Sequence, residues 1–179
     1  AELVFRQSQR QAELVLSQLI LQQQIDFSAL NQLSCRLLES TKRNSQALLF
    51  LQQVSQQNDT LLQHSLSCAC LMAAFAARLK LPAEQAQLYT LGALLHDSGA
   101  LHLQLLYPNQ PYLDSDAASY SIPMLQQQQD CPAGLLQMIE EHCLSLAQQQ
   151  SLGGKMLAGQ TAKTRTDKLV NFAFTKCQQ

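Results

Sequence analysis

Apolar residues recur along this chain every three or four positions, and nowhere do they alternate with polar ones for long enough to build a strand. That period restricts the chain to helices packed through their apolar stripes. "AELVFRQSQRQAELVLSQLILQQQ" predicts a first helix with Leu3, Leu14 and Leu21 on its core stripe and Gln and Arg opposite. "IDFSALNQLSCRLLESTKRN" restarts after Asp26, a suitable N-cap, and ends in basic residues that suit a helix C-terminus. "SQALLFLQQVSQQ" reads as a separate helix capped by Ser45. "DTLLQHSLSCACLMAAFAARLK" is apolar and Ala-rich, as a buried helix should be. "LPAEQAQLYTLGALLHDSGA" opens with Pro82 in the first turn and closes near Gly99.

The period then breaks. "YPNQPYLDSDAAS" clusters Pro108, Pro111 and turn formers, which predicts a loop. A helix resumes near Asp116 and runs through the Gln tract, and "CPAGLLQMIEEHCLSLAQQQ" is another. "SLGGKMLAGQTAKT" reads as a loop and "RTDKLVNFAFTKC" as a last helix. The expected fold is an all-α domain of about seven or eight helices.

Composition narrows the function classes. The 179 residues suffice for one domain with a core, or for a domain with a helical extension. Only 14% are charged, and 29 glutamines fill the polar positions, expected as solvated helix faces. A net charge of -1 gives no basic face for nucleic acid or an anionic membrane. No apolar run reaches the ~20 residues that span a bilayer. "AELVFRQSQR" has no signal-peptide pattern and no initiator Met, which predicts an excised segment. Cys35, Cys68, Cys70, Cys131, Cys143 and Cys177 make no CxxC pair and no zinc-finger spacing. They read as reduced core thiols of a cytoplasmic protein.

Chemistry concentrates on the histidines His64, His96, His102 and His142. In "LLHDSGALHL" His96 stands beside Asp97 at the end of an apolar run. A metal that activates water for phosphate-ester hydrolysis takes imidazole nitrogens and carboxylate oxygens, and keeps an open position for that water. His64 and Cys68 are four apart and share a helix face, a spacing that chance produces often in a buried helix.

"HSLSCACLMAAFAARLKLPAEQAQLYTLGALLHDSGA" resembles the core of the HD superfamily of metal-dependent phosphohydrolases. It is most similar to the HD-GYP branch, whose active members hydrolyse cyclic di-GMP. The likeness covers residues 35–106, with "QHS" supplying His64 and "ALLHDSGA" supplying His96 and Asp97. It implies an HD-domain-like helical bundle, and a metal site to which His64, His96, Asp97 and His142 are the residual candidates. Asp97 is the catalytic candidate if the chain is active.

The departures from the family pattern are as informative. Gly99 is followed by Ala100 where the family has Lys. Ser121 or Tyr120 stands where its next His would fall, in "SYSIPMLQQ". His142 matches the first of a His pair, and Cys143 replaces the second. "SLAQQQSLGG" replaces the DGxGYP signature, and Phe174 falls where the last Asp ligand belongs, with Asp167 and Asn171 nearby. Glu140 and Glu141 read as solvent-facing, and His102 as structural or exposed.

These readings give residues 1–57 as a helical N-terminal extension and 58–179 as a degenerate HD-GYP-like domain. The expectation is a module of bacterial signalling that has lost phosphodiesterase activity and acts by regulation or protein interaction. The alternative is an active metal-dependent HD phosphohydrolase for a cyclic dinucleotide or another phosphate ester, with Asp167 as a substitute ligand. A third is a pure interaction scaffold, similar to the HDOD relatives of the superfamily. No cofactor is expected; a bound metal would be one or two divalent ions, Fe, Mn or Zn. The partners implied are a protein, or a second copy joined through the N-terminal helices, and a nucleotide ligand.

Overall fold

The computed structural model describes residues 2–21, 24–55, 61–108, 110 and 114–142. They form seven helices and no strand, so the all-α expectation holds for this part of the chain. The helices are α1 (Glu2–Ile20), α2 (Phe27–Ser55), α3 (Leu61–Arg78), α4 (Ala83–Leu95), α5 (Ser98–Leu106), α6 (Asp114–Gln126) and α7 (Ala133–His142). No helix among the described residues is long and apolar enough to cross a membrane.

The first two helices depart from the expected pattern. On α1, Leu3, Leu14 and Leu21 are exposed, and the core side carries Ser8, Ala12, Val15, Leu16 and Leu19. The stripe expected inside is therefore outside. Small Ser8 and Ala12 admit a close neighbour, and their low hydrophobicity hid the true face. The predicted break after "TKRN" does not occur, and α2 runs on through Ser45 to Ser55. Neither Gly nor Pro stands there to stop it. Its start is as expected: Asp26 Oδ1 accepts from Ser28 N at 2.8 Å and from Ala29 N at 3.2 Å, satisfying two otherwise orphan donors.

From α1 to α7 the buried apolar residues form one principal cluster, in which α3 packs on α2 and α4. α3 ends without glycine. Lys80 takes the left-handed conformation (φ 54°), its N–H donates to Ala77 O, and Leu81 N–H reaches back to Ala76 O. Pro82 follows as the N-cap of α4, one position before the expected first turn. α4 then stops at Leu95, and only His96 and Asp97 separate it from α5. Sequence periodicity carried this segment on to Gly99 as one helix. In the structure the His–Asp pair is itself the corner.

α5 is held from both sides. It packs on α6, and buried His102 donates its Nδ1–H to Ile20 O at 2.9 Å, closing the C-terminal end of α1. His102 is thus structural, not exposed. The Gln tract at the end of α6 is only partly a solvated face. Gln128 is buried, accepting from Ile25 N at 2.9 Å and so tying the α1–α2 link to α6.

Candidate metal centre

Two pieces of chain build the site. α3 supplies His64 and Cys68 one turn apart on the same face. The α4–α5 corner supplies His96 and Asp97. Because α3 and α4 pack along each other, the corner lands beside that turn of α3. His64 Nε2 lies 3.5 Å from Asp97 Oδ2, and His96 Nε2 lies 3.1 Å from the same oxygen. The imidazole rings are tilted, with centroids 5.6 Å apart. Cys68 Sγ lies 3.5 Å from His64 Nε2. One donor atom each from His64, Cys68 and His96 lie within 4.8 Å of one another.

The hydrogen bonding of His96 orients the site. Its Nδ1 lies 2.9 Å from Ala93 O, a carbonyl that can only accept, so the ring proton sits on Nδ1. In the neutral ring this leaves the Nε2 lone pair facing Asp97 Oδ2. Two acceptors 3.1 Å apart repel unless a proton or a cation lies between them. The same backbone bond fixes the tautomer of metal-ligating histidines. The spacing agrees as well. Metal–donor bonds of about 2.0–2.3 Å in a tetrahedron give donor–donor edges of about 3.3–3.6 Å. The His96 side chain is 1% exposed, that of Asp97 18% and that of His64 33%, so the cluster has a dry floor and a rim open to solvent.

The other candidate residues divide. Ser121 is fully buried. Its hydroxyl accepts from Gly99 N at 2.7 Å and faces Ala117 O at 3.2 Å and His96 O at 3.4 Å, bracing the backbone around the corner. Tyr120 packs its ring on His102, away from any ligand role. Ala100 is buried against Leu103 and Ala117, so no cation occupies the position of the family's lysine. Glu140 is exposed, as expected. His142 is the last residue of α7, which packs on α4 and α6, and its side chain lies outside the described residues. Cys143, Cys177, Asp167, Asn171 and Phe174 lie outside them too.

Cys68 is the residue that sequence reasoning set aside. The only signal for it was its four-residue spacing from His64. Its two-residue neighbour Cys70 is fully buried, and burial pushes its thiol up to about 12. The expectation of core thiols fails at Cys35, which is exposed and lines a groove of about 580 Å³ with Asp26, Asn31 and Asp130. That groove contains none of the four cluster residues. No family model, no curated protein and no solved structure matches this chain.

Proposed function

We propose that this chain is a degenerate HD-type domain that does not hydrolyse phosphate esters, and serves bacterial signalling as a regulatory or protein-interaction module. The state of Ser121 carries the reading. Of the two residues where the resemblance puts the next histidine, Ser121 commits a buried hydroxyl to the backbone of the His–Asp corner and Tyr120 packs its ring on His102. Asp97 is the one carboxylate of the cluster among the described residues. A two-metal phosphodiesterase site holds ions about 3.5–4 Å apart and needs several anionic ligands to neutralise them. One carboxylate and two imidazoles suit a single ion.

The test is hydrolysis of cyclic di-GMP and of an unspecific aryl phosphodiester by the full chain loaded in turn with Mn²⁺, Fe²⁺ and Zn²⁺. The expected result is no turnover above the metal alone. Turnover that disappears in Asp97→Ala would refute the proposal and install the phosphohydrolase alternative.

A further inference from the structure

We propose that Cys68 joins His64, His96 and Asp97 as a thiolate ligand, making the cluster a single tetrahedral Zn²⁺ site that clamps α3 to the α4–α5 corner. This clamp presupposes the non-catalytic reading of the same cluster, and says what the cluster does instead of hydrolysis.

Three observations converge on it. First, the donors come from both sides of one helix–helix contact, His64 and Cys68 from α3, His96 and Asp97 from the corner. An ion held by all four would cross-link the two. Second, the His64, Cys68 and His96 donors lie within 4.8 Å of one another, and three of the six separations among the four donors are 3.5 Å for His64–Cys68, 3.5 Å for His64–Asp97 and 3.1 Å for His96–Asp97. These three lie close to the edges of about 3.3–3.6 Å expected for zinc. Third, His96 offers Nε2 because its Nδ1–H is held by Ala93 O.

The donor chemistry selects the metal. Two imidazoles, one thiolate and one carboxylate are a mixed borderline set. The sulfur disfavours Mg²⁺, Ca²⁺ and Mn²⁺, and the carboxylate disfavours Cu(I). Four protein ligands also close the coordination sphere, as in structural zinc sites, and leave no place for a reactive water. Binding transfers the Cys68 thiol proton to solvent as the Zn–S bond forms, with no change of oxidation state.

The experiment uses the full chain stripped with a chelator and titrated with Zn²⁺ and Co²⁺. The expected result is one ion per chain, and for Co²⁺ a near-ultraviolet thiolate-to-metal charge-transfer band. Cys68→Ser is expected to lose that band and to bind Zn²⁺ at least about 100-fold more weakly, since outer-shell partners alone carry about 10–100-fold. X-ray absorption of the zinc-loaded wild type needs no variant, and should count one sulfur at about 2.3 Å with three lighter ligands. His64→Gln, at a partly exposed position, should weaken binding without unfolding the chain.

Binding without the band, or with no sulfur neighbour, refutes the thiolate and leaves the other three donors. Equal binding by Cys68→Ser does the same. Absence of any bound ion refutes the clamp while the non-catalytic reading stands. Phosphodiester turnover by the zinc-loaded chain refutes the non-catalytic reading itself, whatever the spectrum shows.

Discussion

Gly99→Ala is expected to destabilise the fold by about 3 kcal/mol, although alanine is the better helix former by about 1 kcal/mol. Gly99 lies in the first turn of α5 where α6 crosses it. A Cβ there would lie 1.8 Å from Ala117 O, 2.7 Å from Ser121 N and 2.7 Å from Ser121 Oγ. Two of those atoms are backbone and cannot rotate away, so the helices must part. Overpacking of this kind costs about 1–3 kcal/mol. Parting also stretches the 2.7 Å bond from Gly99 N to Ser121 Oγ, and a buried N–H left unpaired costs about 1–3 kcal/mol more. Subtracting the helix-propensity gain leaves about 3 kcal/mol, or a melting midpoint roughly 6–12 °C lower for a chain of this size. The controls are Gly134→Ala and Gly92→Ala. Their new methyls would meet Leu88 Cδ2 at 2.9 Å and Met138 Cε at 2.6 Å, both ends of flexible side chains. Urea denaturation of the three variants measures the difference. A Gly99→Ala unfolding free energy within about 0.5 kcal/mol of the controls would show that α5 and α6 do not approach this closely.

Two further outcomes follow from the same packing. Ser121→Ala should lose about 1–3 kcal/mol, because the buried Gly99 N–H loses its acceptor, and adding it to Gly99→Ala should cost less than the sum of the two; urea denaturation of the double variant checks this. Thiol alkylation of the native chain, read by peptide mass mapping, should label exposed Cys35 readily and Cys70 only after denaturant, because burial holds the Cys70 thiol protonated.

The all-α class and the positions of α3 and α4 were legible in the sequence because their apolar residues are dense enough to mark buried helices without ambiguity. α1 was misread because both of its faces carry leucine. Period alone does not say which face meets a neighbour, and Ser8 and Ala12 are inside because a neighbouring helix comes close. α2 was cut in two on its basic residues, which are compatible with a helix end but do not cause one; chain breakers do, and none is present. The corner at His96–Asp97 was hidden by residues that are acceptable in a helix. The helix stops there as Gly99 fits against α6, a contact between segments 22 residues apart.

The same limit explains the site. His64, His96 and Asp97 could be picked out by residue type and resemblance, and the structure brings them together. Cys68 could not, because its one local mark over Cys70, the four-residue spacing from His64, arises often by chance in a buried helix. The two lie on one helix, two residues and about 200° apart, with identical side chains. What differs is what faces each. Both are buried, but Cys70 is sealed in the apolar core, and that burial raises its thiol and keeps it neutral. Cys68 faces an imidazole and, across the helix contact, a second imidazole. A thiol becomes a metal ligand or a packing residue according to its surroundings, and here those surroundings are set by a helix that begins 15 residues later in the chain, at Ala83.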